Sequence, residues 1–286
     1  MSASFLQTID RVRAELPGAF AVCAERLDHE APDATRDTAR LAWNEHAPFP
    51  AASVIKIAVA LEVLCAIEQG RLDPAERLAA RDEDKVVGSG VLSALESGLQ
   101  LSVVDLLHLA MTISDNTATN LLIGRVGATS VNARLAALGL TTTRLGGRIF
   151  VDDEHGELSP TTAAELVTLL RWVHAHAPRL VALLARTQTA STIGRGLPDE
   201  RFPGVGGPPD APPPITLAYK TGSLVGVITE AAIVTTPRAT YAIAVLSEGS
   251  GDLRPNHDNI GRVKLGEISR AAYEAFERQR KQGHPR

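Results

Sequence analysis

The pattern of apolar and polar positions predicts strands near both ends of the chain. Residues 4–16 repeat apolar side chains at helical spacing, and the repeat stops at Pro17-Gly18. Residues 19–27 alternate as a strand does, and residues 39–45 supply its predicted partner. The acidic, Pro-containing residues 28–38 then form the loop of a hairpin.

The middle of the chain carries helical patterns. One helix is predicted from Pro50 to Glu68, and it is closed by Gly70. Ser102-Val-Val-Asp105 is a capping box, which predicts a helix running to about Met111. Further helices are predicted just after Asn116 and over residues 159–176.

The last third returns to strands. Residues 198–214 are a Pro/Gly-rich loop. Three strand patterns, at residues 215–224, 226–235 and 240–247, precede a final helix over about 254–281. The pattern therefore predicts an α+β protein, with an antiparallel sheet built from both chain ends and a helical region between them.

Composition and charge exclude some classes of function. The chain has 286 residues, 44% of them hydrophobic and 22% charged, which is typical of a globular protein with a sizeable core. Its net charge of −4 gives no sign of nucleic-acid or anionic-membrane binding, so neither partner is expected. Cys23 and Cys65 are too few for a disulfide framework and are expected to be small buried hydrophobes.

Targeting signals are not visible in the sequence. No run of 18 apolar residues occurs, and residues 1–10 lack a basic and an apolar signal region. The expected location is the cytoplasm as the sequence is written, or the periplasm or exterior if a leader has been removed. The oligomeric state is left open.

Several kinds of site are absent from the sequence. There is no zinc-binding H-E-x-x-H, no Walker lysine loop and no G-x-S-x-G nucleophile elbow. His174 and His176 lie two apart on a predicted helix and so face different directions. No metal and no cofactor are expected.

Three short motifs remain, and two of them contain a lysine. Ser53-Val-Ile-Lys56 places a hydroxyl and an amine on one face of a helix start. Ser114-Asp115-Asn116 lies between two predicted helices, and Lys220-Thr221-Gly222 interrupts a strand with a glycine. The chain has only five lysines, at positions 56, 85, 220, 264 and 281. Chance is therefore a poor explanation for all three motifs together.

In this order and at these spacings, the motifs resemble those of class A β-lactamases and penicillin-recognising serine hydrolases. The text around Met111–Ile123 and Val131–Leu140 is similar to that family too. The resemblance implies a β-lactamase-like fold with a five-stranded antiparallel sheet. It also implies one domain over 1–286, with an α/β subdomain of about 1–48 and 215–286 and a helical subdomain of about 49–214.

The resemblance implies catalytic roles for four residues. Ser53 would be the acylated nucleophile, and Lys56 would accept its proton. Burial and the nearby Lys220 would lower the pKa of Lys56 for that purpose. Ser114 would pass a proton to the leaving nitrogen, with Lys220 orienting its hydroxyl.

The same resemblance implies the substrate-binding groups. Asn116 would bond the side-chain amide of the substrate, and the hydroxyls of Thr221 and Ser223 would bind its carboxylate. The backbone N–H groups of Ser53 and Ser223 would form the oxyanion hole, with Gly222 allowing their close approach.

The segment before the 159–176 helix departs from the family pattern. Class A enzymes carry a glutamate there that activates the deacylating water, and by spacing its position falls near Ile149 or Phe150. Without a positioned base, hydrolysis of the acyl-enzyme is expected to be slow. The nearby carboxylates that could substitute are Asp152, Asp153, Glu154 and Glu157.

The expected arginine for the substrate carboxylate is also missing. Many relatives supply it from the strand after Lys-Thr-Gly, but residues 224–234 contain no arginine and instead carry Glu230. Arg125, Arg148 or Arg195 could reach the site from elsewhere.

The leading hypothesis is a serine hydrolase that opens β-lactams, or related amides or esters, through an acyl-enzyme on Ser53. The first alternative is a peptidase or esterase acting on D-amino-acid peptides or small esters with the same site. The second is a penicillin-binding sensor that is acylated and does not turn over. In each case the partner is a small molecule.

Overall fold

The computed structural model describes residues 3–28, 40–152, 159–198 and 215–278. Its central feature is an antiparallel five-stranded sheet, in which the strand order is β2-β1-β9-β8-β7. Two small antiparallel strand pairs, β3 with β6 and β4 with β5, lie outside it. The strands are β1 Ala19–Arg26, β2 Arg40–Trp43, β3 Phe49–Pro50, β4 Arg77–Ala80, β5 Leu99–Ser102, β6 Pro160–Thr161, β7 Thr216–Leu224, β8 Val227–Thr235 and β9 Thr240–Glu248.

Helices cover both faces of this sheet. Helices α1 and α9, from the two chain ends, pack against each other, and α6 packs on β1, β8 and β9. The described helices are α1 Ala3–Glu15, α2 Lys56–Glu68, α3 Val103–Thr112, α4 Asn116–Val126, α5 Ala128–Ala137, α6 Ala163–His176, α7 Pro178–Leu184, α8 Thr192–Arg195 and α9 Ile260–Arg278.

Because side chains alternate between the two faces of the sheet, there are two hydrophobic cores. Ala231 and Ala244 lie on one face and pack against α2 and the other central helices. Tyr241 lies on the opposite face and packs against Phe276 of α9, with ring centroids 4.8 Å apart and the ring planes tilted by 45°. The inner strands β1, β8 and β9 are largely apolar on both faces, because both faces are covered.

The α+β fold class predicted from the sequence is confirmed, and most predicted elements occur near their expected bounds. The helix expected from Pro50 begins instead with a short strand and a 3₁₀ turn over Ala52–Ile55. The short elements β4, β5, α7 and α8 were not predicted. Residues 29–38 of the expected hairpin loop and 199–214 of the Pro/Gly loop lie outside the described residues.

The capping box predicted at Ser102 is present at the start of α3. The Ser102 hydroxyl accepts the Asp105 N–H at 3.1 Å and the Asp105 carboxylate accepts the Ser102 N–H, which is the expected capping box.

Cys23 and Cys65 are buried free thiols. Along the described chain, no helix is both long and apolar enough to cross a membrane. The division into two subdomains stays a prediction.

A buried carboxylate on α2 joins three segments of the helical region. Glu62 is 2% exposed and accepts from Arg71 at 2.8 Å and from Arg134 of α5 at 3.0 Å. Because two guanidinium groups share this carboxylate, its negative charge is compensated despite burial.

We expect Glu62→Ala to lower the free energy of unfolding by about 2–3 kcal/mol, because it leaves two partly buried cations without their partner. Urea unfolding measures this loss. Glu76→Ala is the matched control, since Glu76 pairs with Arg125 at the surface and its loss should cost less than about 1 kcal/mol. Equal losses in the two variants would contradict the role given to Glu62.

Candidate active site

Ser53 lies on a strained turn that is anchored from both sides. It belongs to the 3₁₀ turn that leads into α2, and the preceding Ala52 has φ +46°, a conformation that costs a non-glycine residue energy. The Ala51 N–H donates to the carbonyl of Ser159 at 2.8 Å. The Thr229 hydroxyl of β8 donates to the Ala51 carbonyl at 3.0 Å. The turn is thereby fixed to the sheet, with Ser53 at its surface.

Gly222 lets β7 approach the Ser53 turn closely. A Cβ at this position would stand 2.8 Å from Ser53 N and 2.3 Å from the Thr229 hydroxyl oxygen. No real Cβ atom fits at such distances, so only glycine permits this contact. The sequence prediction that Gly222 allows a close backbone approach thus has a direct geometric basis.

Lys56 is the first residue of α2 and is fully buried. Its Nζ donates to the Ser114 carbonyl at 2.6 Å, to the Ser114 hydroxyl at 3.0 Å and to Asn116 Oδ1 at 2.6 Å. Burial, and then the charge of Lys220, hold the pKa of Lys56 well below its ordinary value, while Asp115 opposes that shift. A lysine in this state readily exists as a neutral amine.

Ser114 connects the two lysines. Its backbone has φ +61°, and its hydroxyl oxygen accepts from Lys56 Nζ and from Lys220 Nζ, each at 3.0 Å. Lys220 is fully buried on β7 and also donates to the Thr221 carbonyl at 2.8 Å. Burial lowers the pKa of Lys220 to about 7, and the negative charge of Glu230 opposes that shift.

Asp115 and Asn116 hold the neighbouring segments around the cluster. The Asp115 carboxylate caps α4 through the Ala118 N–H at 2.8 Å and accepts the N–H groups of Val91 and Leu92. Asn116 Nδ2 donates to the Val87 carbonyl at 2.9 Å, while its Oδ1 accepts from Lys56. The motif therefore combines a helix cap with two groups that face the site.

The hydroxyls of β7 lie on the side of the cleft opposite α4. Thr221 Oγ1 is 2.8 Å from Thr189 Oγ1, and Ser223 Oγ accepts from Arg262 Nη2 at 3.0 Å. Arg262 comes from the first turn of α9 and was missed by the sequence analysis, in which nothing distinguishes it from the other arginines. The only sequence signal for the position of Arg262 is its helical spacing from the apolar residues of the last helix.

The arginines considered from the sequence are engaged elsewhere. Arg125 pairs with Glu76 at 2.7 Å, and Arg148 pairs with Asp152 at 3.2 Å. Arg195 donates to the carbonyl of His257 at 3.1 Å. Among the described arginines, Arg262 is the one that lines the cavity at Ser53.

Two cavities meet at Ser53 and differ in chemistry. The larger, of about 300 Å³, is lined by hydroxyl groups and a cation, which include Ser114, Thr221 and Arg262. The smaller, of about 90 Å³, lies toward α4 and has a largely apolar wall. That wall includes Ile55, Ile149, Phe150 and Leu224.

The wall residues Ile149 and Phe150 occupy the place where spacing put the missing glutamate. The Asn120 side chain bonds both the N–H and the carbonyl of Ile149 at 2.8 Å, so this wall is fixed to α4. Among the described residues, neither cavity at Ser53 is lined by an Asp or a Glu.

Asp152 is the one candidate deacylation base that the structure describes, and it does not line either cavity. Hydrogen bonds from the Arg148 side chain and backbone hold the pKa of Asp152 below its ordinary value. A carboxylate in this setting is a weak base. Asp153, Glu154 and Glu157 lie outside the described residues.

Comparisons with solved structures define the fold. The chain superposes on the β-lactamase of Sphaerobacter thermophilus DSM 20745 with a TM-score of 0.79 and 28% identity, over 96% of this chain and 97% of that one. It superposes equally well on PBP-A, with a TM-score of 0.79 and 27% identity, over 97% of each chain. A leucine-to-glutamate variant of PBP-A was solved as an acyl-enzyme complex with penicillin G. The architecture is therefore the β-lactamase fold.

Sequence comparisons define the family. The model of the β-lactamase enzyme family, named Beta-lactamase2, matches residues 5–276. The β-lactamase PSE-4 of Pseudomonas aeruginosa is 32% identical over 117 residues, which are 41% of this chain and 40% of that relative. The chain thus aligns with less than half of the length of this curated relative. With a family match over nearly its whole length, the chain belongs to the β-lactamase enzyme family.

We expect Gly222→Ala to lower the free energy of unfolding by about 1–3 kcal/mol, because the new methyl overlaps Ser53 N and the Thr229 hydroxyl. Chemical denaturation measures the change. Gly124→Ala in α4 is the control, since a Cβ there meets nothing within 4 Å and should stabilise the helix by up to about 1 kcal/mol. A Gly222→Ala variant as stable as the native chain would contradict the close approach of β7.

Proposed function

We propose that this protein is a serine hydrolase that is acylated on Ser53 by β-lactams and releases the acyl group slowly. Membership of the β-lactamase family supports the acylation, together with the convergence of Lys56, Ser114 and Lys220 on one buried cluster. The observation that carries the slow release is the apolar wall at Ile149 and Phe150.

Acylation uses the neutral form of Lys56. As an ammonium, its Nζ donates three hydrogen bonds, to the Ser114 carbonyl and hydroxyl and to Asn116. As an amine it has two N–H groups and one lone pair, so one of these bonds is released and the lone pair is available. The Ser53 hydroxyl then gives its proton to Lys56 while its oxygen attacks the carbonyl carbon of the lactam.

Collapse of the tetrahedral intermediate breaks the bond between the carbonyl carbon and nitrogen. The nitrogen takes a proton from the Ser114 hydroxyl, which is reprotonated by Lys56, so the proton lost by Ser53 ends on the leaving nitrogen. The backbone N–H groups of Ser53 and Ser223 stabilise the negative oxygen of the intermediate. Lys220 keeps the Ser114 hydroxyl oriented through its 3.0 Å contact.

Each of the two cavities binds a different half of the substrate. The hydroxyls of Thr221 and Ser223, with Arg262, provide cationic and hydrogen-bonding groups for the carboxylate of the leaving half. Asn116 borders the smaller cavity, where its side-chain amide bonds the amide of the acyl half and the apolar wall contacts the group beyond it.

Deacylation needs a water that attacks the ester from the side of the smaller cavity. A carboxylate there would remove a proton from this water, and such general bases contribute about 10²–10⁴-fold to a rate. Ile149 and Phe150 hold no proton-accepting group and exclude water from their surface. The acyl-enzyme is therefore long-lived.

The test follows acylation and release together. The protein is mixed with a fluorescent penicillin and with nitrocefin, and intact mass is recorded beside the colour change. We expect a stoichiometric adduct within the first turnover and a slow steady release of nitrocefin product afterwards. Ser53→Ala should give neither signal. Absence of both signals in the native protein, or their persistence in Ser53→Ala, would refute the proposal. Colour without an accumulated adduct would refute slow release alone.

A base placed in the wall should accelerate release. We expect Ile149→Glu to raise the deacylation rate by about 10–100-fold, because its carboxylate can accept a proton from the attacking water. The decay of the adduct mass after excess penicillin is removed measures this rate. Ile149→Gln has the same size without a base, and a Gln variant that releases the adduct as fast as the Glu variant would show that basicity is not the cause.

A further inference from the structure

Glu230 is a fully buried carboxylate beside the cleft, on the strand next to Lys220. It lies directly opposite Thr221 in the β7–β8 register, so the two side chains share one face of the sheet. Its carboxylate accepts from the Ser191 hydroxyl at 2.5 Å, from Thr192 N at 2.6 Å and from Ile193 N at 3.3 Å. The proposed acylation mechanism does not use this group.

A short chain of hydrogen bonds leads from Glu230 to the cleft. The carboxylate fixes the backbone of Thr192, and the Thr192 hydroxyl accepts from Arg262 Nη1 at 3.3 Å. The other terminal nitrogen of Arg262 donates to the Ser223 hydroxyl at 3.0 Å. Glu230 thus acts on the position of a guanidinium that lines the larger cavity, without touching the cavity itself.

The charge of Glu230 also acts on Arg262. Burial lowers the pKa of Arg262, and the negative charge of Glu230 opposes that shift. A partly buried cation is unfavourable unless a negative charge lies close to it. Lys220 lies on the opposite face of the sheet, because it pairs with Ala231 in the register while Glu230 pairs with Thr221.

We propose that Glu230 is a positioning residue of the cleft: its buried carboxylate fixes the backbone of Thr192, whose hydroxyl holds Arg262 where it meets the anionic group of the substrate. This role rests on the proposed acylation of Ser53 by β-lactams. It assigns the site a preference for substrates whose leaving half carries an acidic group.

The first test compares the acylation of Glu230→Gln by penicillin G with its acylation by the neutral methyl ester of penicillin G. Glutamine keeps the size of the side chain but removes its negative charge and replaces one acceptor oxygen with an N–H donor, so Thr192 and Arg262 are no longer held in place. We expect the second-order acylation constant to fall about tenfold for penicillin G and to change little for the ester.

Glu165→Gln is the matched control for a purely structural effect. The Glu165 carboxylate also accepts backbone N–H groups, from residues 141–143, but it lines neither cavity at Ser53. We expect Glu165→Gln to lower thermal stability and to leave the ratio of acid to ester acylation unchanged. An unchanged ratio in folded Glu230→Gln, or an equal change in Glu165→Gln, would overturn the positioning role.

The second test uses Thr192→Val and stands even where Glu230→Gln fails to fold. The variant removes the hydroxyl that holds Arg262 and keeps the charge of Glu230. We expect the second-order acylation constant to fall about tenfold for penicillin G. The neutral methyl ester of penicillin G should be little affected. Equal effects on acid and ester would overturn the positioning of Arg262.

The two proposals fail in different ways. If native protein forms no adduct with penicillin G at any pH, acylation of Ser53 is wrong. If native protein forms the adduct and the variants leave the acid-to-ester ratio unchanged, only the role of Glu230 is wrong.

Discussion

Lys56 and Lys220 each donate to the hydroxyl of Ser114 at 3.0 Å, so two basic side chains converge on one buried oxygen. Two ammonium groups removed from water and placed side by side are costly. The surrounding structure offsets this cost with acceptors, which are the Ser114 and Thr221 carbonyls and Asn116, and with the charges of Asp115 and Glu230. The same environment lowers the pKa of both lysines, and the proposed transfer of a proton from Ser53 to Lys56 requires this of Lys56.

The sequence was sufficient to predict those features that depend on the types of a few neighbouring residues. The capping box at Ser102 formed as predicted, and the glycine at position 222 has the close approach that its strand setting implied. The scarcity of lysine also helped, because an amine whose pKa shifts on burial cannot be replaced by arginine. The strand patterns at both chain ends were enough to predict the antiparallel sheet and the α+β class.

The remaining features depend on how distant segments pack, and no local pattern contains that information. Arg262 reaches the cleft because α9 crosses the face of the sheet beside Ser223, while Arg125 and Arg148 found carboxylates elsewhere. The negative charge of Glu230 would repel a substrate carboxylate. The Glu230 carboxylate is instead buried against α8, where it accepts the N–H group of Thr192. The apolar character of the wall at Ile149 was visible by spacing, but its attachment to α4 was not.

The position of β7 at the end of the sheet has a wider consequence. Each inner strand has both edges paired, whereas among the described residues β7 pairs only with β8. Such open edges invite pairing with any extended chain, and proteins usually cover or interrupt them. Here the Ser53 turn packs on the face of β7 and β8 at Gly222, so the reactive hydroxyl lies beside this edge. An extended amide that bonds the edge of β7 would therefore lie within reach of Ser53.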